Sequence, residues 1–494
     1  MKKNSDKRNS VWLAIQYMVS ILFSFIIVKL NVTHYGNELY GMWIIFASLW
    51  GIGNVVDLGF GTAIVRYVAE AKKNDDQNRI NSLVSTGFVV FNFVGIFLVL
   101  LGFILGYSIY FSNNTVVPLK YHHLANAVFI TLGVNFFFQY LSFFFKAILE
   151  GLNKFVLSSK IILSSNIFMM CLIMCVTYLK MSIVYLSSAY ALASISLVFS
   201  NYLVIRIKHP EIKIFSRVDL KQFKGIFKFS VSMQLSSLIY AFIDPTVKYI
   251  IVNFSSLSIV PFYEIANKFA VSISGLFFAA FRNLLPKASV LKSTEDYKLF
   301  FEGEGKKITT LGVTFSGIMF GVFVFLSTTV IKLWFGYSEV ILIFLILSMP
   351  QTINNFGYTI YTFLIGIGKP ALLALSQLLN LVVVSISLIL GFLIFKNTLG
   401  LLGYFVSVIS ANILMVYFVK RETKFNIKDF LKSVSFYKLI ILNILLLLGT
   451  IILNFSSINM HLVLGFISLL CAVIFINDIK AYSKSILGIV RQFA

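Results

Sequence analysis

Stretches long and apolar enough to cross a bilayer recur along the whole of this 494-residue chain, at 11–33, 39–62, 83–107, 124–148, 156–179, 183–205, 226–250, 258–281, 308–331, 338–362, 370–395, 399–419, 438–454 and 459–477. A spanning helix needs about 20 residues, and backbone groups in lipid must be satisfied within their own segment. The runs are too long for the roughly 10-residue alternating strands of a membrane barrel. The expected fold class is therefore an all-α polytopic membrane protein with about 14 transmembrane helices. Composition agrees: 59% of residues are hydrophobic, 52 are Phe and only 12% are charged, against about 25% charged in a soluble domain. These values exclude a soluble enzyme, a nucleic-acid-binding module and a disordered chain.

The basic first ten residues run directly into the first apolar stretch, which has no small-x-small cleavage pattern, so it reads as a retained helix with a cytoplasmic amino end. With 14 spans both termini fall on one side. On that assignment 35 of the 41 Lys and Arg lie on the cytoplasmic side, leaving Lys29, Lys120, Lys180, Lys248, Lys332 and Lys396. Such a positive-inside bias accounts for the net charge of +22 without a nucleic-acid partner. Two inner connections, 219–229 and 426–436, read as amphipathic helices lying on the membrane surface. The three Cys lie inside apolar runs, and the five His are scattered. Neither a disulfide framework nor a metal site is expected.

Three landmarks repeat at nearly one offset. Span 1 opens near Val11 and span 7 near Ile226; Gly151-Leu-Asn-Lys154 is answered by Gly366-Ile-Gly-Lys369, 215 residues on; Arg66 is answered by Arg282 at 216. They suggest duplication of a six-helix unit, with both copies in the same orientation. The expected organisation is an N-terminal six-helix lobe at 1–210 and a C-terminal six-helix lobe at 211–425. An amphipathic linker and helices 13 and 14 would complete the chain at 426–494.

Short motifs fall at matching places. Tyr40-Gly-Met-Trp43 opens span 2, and Asp57-Leu-Gly-Phe-Gly-Thr-Ala-Ile-Val-Arg66 closes it; Asp244 lies in span 7, and Ile259-Val-Pro-Phe-Tyr-Glu-Ile-Ala266 opens span 8. On these residues, about 50 in all, and on the 6+6+2 layout, the chain resembles the oligosaccharidyl-lipid flippases (Wzx-type polysaccharide biosynthesis proteins). These belong to the multidrug/oligosaccharidyl-lipid/polysaccharide exporter superfamily. The resemblance implies a secondary transporter of the plasma membrane, with two bundles around a central cavity. It would move an undecaprenyl-diphosphate-linked oligosaccharide, the repeat unit of O-antigen or capsule, between leaflets by alternating access. Implied partners are that polyprenyl-diphosphate-linked glycan, membrane lipids, and a polysaccharide polymerase with glycosyltransferases. One departure stands out: Pro245 follows the span 7 acid and is expected to kink the helix there.

Ionisable residues at membrane depth are costly and usually face a cavity or a partner. Five qualify: Lys29, Asp244, Lys248, Glu264 and Lys268. Asp244 and Lys248 are spaced i, i+4, as are Glu264 and Lys268, so each pair shares a helix face. Lys268 lies deepest, roughly 14 Å into span 8 at 1.5 Å per residue. Candidate substrate-binding residues are Lys268, Lys29, Lys248 and Arg66, whose cations suit a diphosphate. Asp244, Glu264 and Asp57 are candidates for ion coupling or salt bridging. Each cation has a plainer reading: Lys29 and Lys248 can snorkel, Arg66 can anchor the inner face, and both acid–base pairs can be static bridges. Polar residues inside spans, among them Asn166, Asn355 and Tyr358, could meet sugars or tie helices together.

Gly303-Glu-Gly-Lys-Lys307 lacks the spacing and the hydroxyl of a phosphate loop. No catalytic triad or metal-spaced cluster is visible, so neither an enzyme nor a cofactor is expected. Two competing readings stay open. A multidrug/cation antiporter of the same fold should line its cavity with carboxylates rather than lysines. A membrane-embedded polymerase or acyltransferase should carry acidic residues on a large outer loop, which 108–123 does not.

Overall fold

A computed structural model describes residues 2–111, 117–216, 218–219, 236–280, 284, 288, 291, 293–335, 339–423, 430–432, 434, 436–455, 463–471 and 473–475, with some side chains inside these helices left out. Of the surface helices expected at 219–229 and 426–436, the first lies outside these residues but for Asp219, and of the second residues 430–432, 434 and 436 are described, with 430–432 helical. Among the described residues no strand occurs, and nine helical stretches are long and apolar enough to cross a membrane. The chain is an all-α polytopic membrane protein. By internal contacts it divides into two units, Met1–Pro245 and Thr246–Gln492.

In the first unit, α1 (Lys2–Lys73) carries the first two expected spans as one 72-residue helix broken at Gly36. Gly36 has φ 75°, and a Cβ there would meet nothing within 4 Å, so backbone conformation rather than crowding calls for glycine. At the start of α2 (Gln77–Gly106), the Asp76 carboxylate accepts the Arg79 N–H at 2.9 Å. Then come α3 (His122–Gly151), α4 (Phe155–Tyr178) and α5 (Ile183–Lys208), with α3 packed chiefly on α5 and α1. Rings fill this core: Trp50 lies against Phe103, Phe129 and Phe136, in room left by Gly102 and Gly133. The outer stripe of α2 (Phe93, Phe97, Leu100, Ile104) is exposed and wholly apolar, a surface suited to lipid rather than water. The segment after α5 is fastened to α2: Asn81, Ser85 and Thr86 accept the N–H groups of Lys213, Ser216 and Asp219 at 2.9, 2.7 and 2.9 Å.

The second unit contains α6 (Ile243–Phe254, whose first three residues close the first unit), α7 (Val260–Ala280), the short α8 (Thr294–Phe300), α9 (Lys306–Phe335), α10 (Glu339–Gly366), α11 (Pro370–Phe395), α12 (Leu402–Thr423) and α13 (Phe436–Phe455). Residues 463–471 and 473–475 are also helical. The hub is α10, which packs on α7, α9, α12 and α13. Hydrogen bonds join it to its neighbours: Asn355 donates to Ser316 at 3.0 Å, Thr309 to Thr359 at 3.0 Å, and Asn443 to Thr352 at 2.9 Å. In lipid, where water cannot compete, such contacts tie helices together.

The offset of 215 reappears in the backbone. Between α3 and α4 the N–H groups of Leu152, Asn153 and Lys154 donate to the carbonyls of Ile148, Glu150 and Leu149 at 3.0, 2.9 and 2.8 Å. Between α10 and α11 the N–H groups of Ile367, Gly368 and Lys369 donate to Phe363, Ile365 and Leu364, each at 3.0 Å. Both turns pivot on a left-handed residue, Asn153 (φ 60°) and Gly368 (φ 75°). The cap that starts α5, Ser182 accepting from Val184, recurs as Asn397 accepting from Leu399. The chain builds the same pair of turns twice.

Candidate functional site

A short turn at 255–259 joins α6 to α7, so the two helices run antiparallel. Lys248 lies eight residues before Ser256 and Glu264 eight after it, which places them at equal depth on neighbouring helices. Lys248 Nζ meets Glu264 Oε2 at 2.7 Å, and Lys268 Nζ, one turn further along α7, meets Glu264 Oε1 at 3.3 Å. One carboxylate thus holds two ammonium groups, and the cluster carries a net charge of +1. Its members differ in burial: the side chains of Lys248, Glu264 and Lys268 are 4%, 17% and 33% exposed. Removing one partner of a buried ion pair costs about 3–5 kcal/mol, because the other charge is left without compensation.

The i, i+4 contact expected between Glu264 and Lys268 is present, and the interhelical contact with Lys248 joins it. Sequence spacing alone did not bring Lys248 to Glu264, although symmetry about the turn carries that signal. The span 7 kink is seen as a break: residues 236–241 are helical, Phe242 is a turn, and α6 restarts at Ile243. Half-buried Asp244 and buried Pro245 therefore occupy the first turn of α6, where a proline's missing N–H costs no intrahelical bond.

Other candidates lie apart from this cluster in sequence. Lys29 is half-buried on α1. Asp57 and Arg66 are on the helical path of α1, and their side chains lie outside the described residues. Lys154 is exposed, and Lys369 is paired with Glu422. The polar span residues join helices: Asn166 donates to Ser20 at 2.9 Å, Asn355 to Ser316, and Tyr358 to the Phe278 carbonyl at 3.3 Å. Among the described residues no group of three His, Cys, Asp or Glu could hold a metal ion.

A family model described as polysaccharide biosynthesis protein matches residues 7–292, more than half of the chain. The chain belongs to the polysaccharide biosynthesis protein family. A relative from Shigella flexneri, named "Putative O-antigen transporter", is 25% identical to this family member over 359 residues, 69% of this chain and 79% of that one. Among solved structures, lipid II flippase MurJ in an inward closed conformation superposes with a TM-score of 0.67 at 19% identity, over 96% of this chain and 99% of MurJ. An inward-facing multidrug resistance MATE family transporter of the MOP superfamily gives 0.59 at 14% identity, over 84% and 99% of the two chains. A MOP superfamily transporter from Pyrococcus furiosus gives 0.54 at 16%, over 84% and 95%. These likenesses establish the fold, which the chain shares with MurJ and the MATE transporters. The relative and these solved neighbours are named as transporters or flippases, and this polysaccharide biosynthesis protein is a multi-pass membrane protein, as the apolar runs of its sequence led one to expect.

Proposed function

We propose that this protein translocates an undecaprenyl-diphosphate-linked oligosaccharide repeat unit from the inner to the outer leaflet of the plasma membrane, by alternating access, for surface polysaccharide biosynthesis. The observation that carries this reading is the net-positive cluster of Lys248, Glu264 and Lys268 at membrane depth, in a chain of a polysaccharide biosynthesis family. A dianionic diphosphate is the part of such a substrate that cannot cross lipid unaided. An ammonium group in a low-dielectric site meets it with charge-assisted hydrogen bonds. Lys268, the most exposed of the three, is assigned to the diphosphate, with Lys29, Lys248 and Arg66 as further cations along its route. Glu264, with Asp244 and Asp57, would hold these cations when substrate is absent and is available to an ion-coupled step.

The lobes 1–210 and 211–425, with 426–494 appended and both termini in the cytoplasm, are part of this proposal. So is supply by glycosyltransferases and consumption by a polymerase on the far side. The multidrug transporter structures favour the antiporter as second reading. Two ammonium groups to one carboxylate argue against it, because a cationic drug would be repelled. The test is Lys268→Ala in a strain whose surface polysaccharide depends on this chain: polysaccharide export should be lost at unchanged protein level, and unchanged export would remove Lys268 from the mechanism. Export of a cationic dye by the same protein in vesicles would favour the antiporter.

A further inference from the structure

Helix α10 carries polar side chains on two faces and uses them differently. On the buried face Thr352, Asn355 and Thr359 are spent on neighbouring helices, in bonds with Asn443, Ser316 and Thr309. On the other face Asn354, Tyr358 and Tyr361 follow at i, i+4 and i+7 and are only half-buried. There the Asn354 amide makes one contact among the described residues, Nδ2 to Gln351 Oε1 at 3.5 Å, the outer limit of a hydrogen bond. Its carbonyl oxygen and second N–H are uncommitted. An amide so placed is costly against hydrocarbon, so this face suits water or a polar ligand. One turn on, Tyr358 stacks on Phe278 of α7, with ring centres 5.0 Å apart and planes 15° from parallel, and its hydroxyl donates to the Phe278 carbonyl. Phe278 lies on the open stripe of α7 that also holds Lys268, Val271 and Gly275. Lys268 stands ten residues before it, about 15 Å along the helix. The open faces of α7 and α10 therefore join at this ring pair.

A ring pair beside an uncommitted amide is suited to a pyranose. The C–H face of the sugar packs on an aromatic ring, whose π face is negative, and an amide that both donates and accepts can engage two neighbouring hydroxyls. From this juxtaposition we propose that Asn354 and the Tyr358–Phe278 stack form a sugar-binding ledge, which takes a pyranose of the oligosaccharide while Lys268 meets its diphosphate. The inference rests on the reading of the chain as a flippase for a diphosphate-linked oligosaccharide and deepens it, giving the glycan a place of its own toward the C-terminal end of α7. The amide recurs in the first unit: 215 residues before Asn354 stands half-buried Gln139, whereas Asn355, which ties α10 to α9, is answered by Tyr140. The two halves share the amide on the open face and not the tie.

The experiment measures binding to the full chain in nanodiscs of two lipids, undecaprenyl diphosphate and the same lipid carrying the oligosaccharide repeat, extracted from cells that make it. The difference between them is the share of the sugar. In the unmodified chain the oligosaccharide should raise affinity about tenfold, the size of a hydrogen-bond pair with one ring contact. Asn354→Leu and Tyr358→Leu should each cut that gain to about threefold or less while bare undecaprenyl diphosphate binds as before, and surface polysaccharide in cells should fall at matched protein level. Lys268→Ala should instead weaken both lipids alike. A sugar gain that persists in both Leu variants, or is missing from the unmodified chain, overturns the ledge. Equal losses for the two lipids in Asn354→Leu overturn it as well, because a merely structural role would move both. Bare diphosphate binding undiminished in Lys268→Ala overturns the anion-site reading and leaves the sugar gain as the measure of the ledge. Should Asn354→Leu fail to accumulate, Asn354→Ala carries the same comparison, with the same outcomes for and against.

Discussion

The same hairpin is built twice in this chain, and its two copies are packed by different chemistry. In the first unit α3 offers Phe136, Tyr140 and Phe144 to its neighbours; 215 residues later α10 has Gln351, Asn355 and Thr359. The first core interlocks rings with small residues: a Cβ on Gly102 or Gly133 would come within 2.5 or 2.9 Å of Trp50. The second also packs rings, Phe301 against Phe363 and Phe356 against Phe436, and adds hydrogen bonds to Ser316 and Thr309 and the Thr352–Asn443 pair. The turns agree because they are set by backbone geometry, which few residue types can satisfy. The packing faces diverge because lipid-embedded helices can be held equally by shape or by polar contacts. Charge follows polarity, since the cluster of Lys248, Glu264 and Lys268 is answered 215 residues earlier by the uncharged Thr33, Leu49 and Gly53.

If shape holds the first unit, its largest ring should matter most. Trp50 is 5% exposed and touches three other rings. Replacing it by Ala leaves a cavity the size of an indole between three helices, for an expected loss of about 3–5 kcal/mol. Thermal unfolding in detergent should register this as the largest shift of any change named in this Discussion; a shift no larger than that of an exposed α2 phenylalanine such as Phe93 would mean that shape is not what holds this unit. The turns come next. Gly368 has φ 75°, so Gly368→Val should cost about 1–2 kcal/mol through backbone strain. Asn153→Gly, at the matching turn, should be neutral or stabilising. A loss in Asn153→Gly as large as that in Gly368→Val would show that the turns are not equivalent after all.

Much of this architecture is legible in the sequence, and physics says which part. Helices declare themselves because lipid demands continuous apolar runs, and the repeat does so because Lys154 and Lys369 follow the same tight turn. The break before Asp244 was foreshadowed by Pro245. The join between Lys248 and Glu264 was less visible, because it depends on two helices meeting and on no single helix face. Counting eight residues to each side of Ser256 predicts it, but only once the turn is known to be that short. The role of Asn355 as a tie to Ser316 also needs the neighbouring helix, since the residue alone is equally suited to a sugar.

The smallest expected effect is the most discriminating for the polar unit. Asn443 on α13 donates to Thr352 on α10, and also to the Leu439 carbonyl of its own helix at 2.8 Å. Truncating one side, Asn443→Ala, leaves the Thr352 hydroxyl its bond to the Met349 carbonyl at 2.8 Å, so no buried donor is orphaned. The loss should therefore approach the average for hydrogen bonds between membrane helices, about 0.6 kcal/mol, and Thr352→Val should cost no more. The double variant decides whether the pair acts as a tie. A coupling near 0.6 kcal/mol in a double-mutant cycle means that α13 is fastened to α10 by this contact, whereas additive losses would mean that apolar packing holds α13, and the contrast with the ring-packed first unit would narrow accordingly.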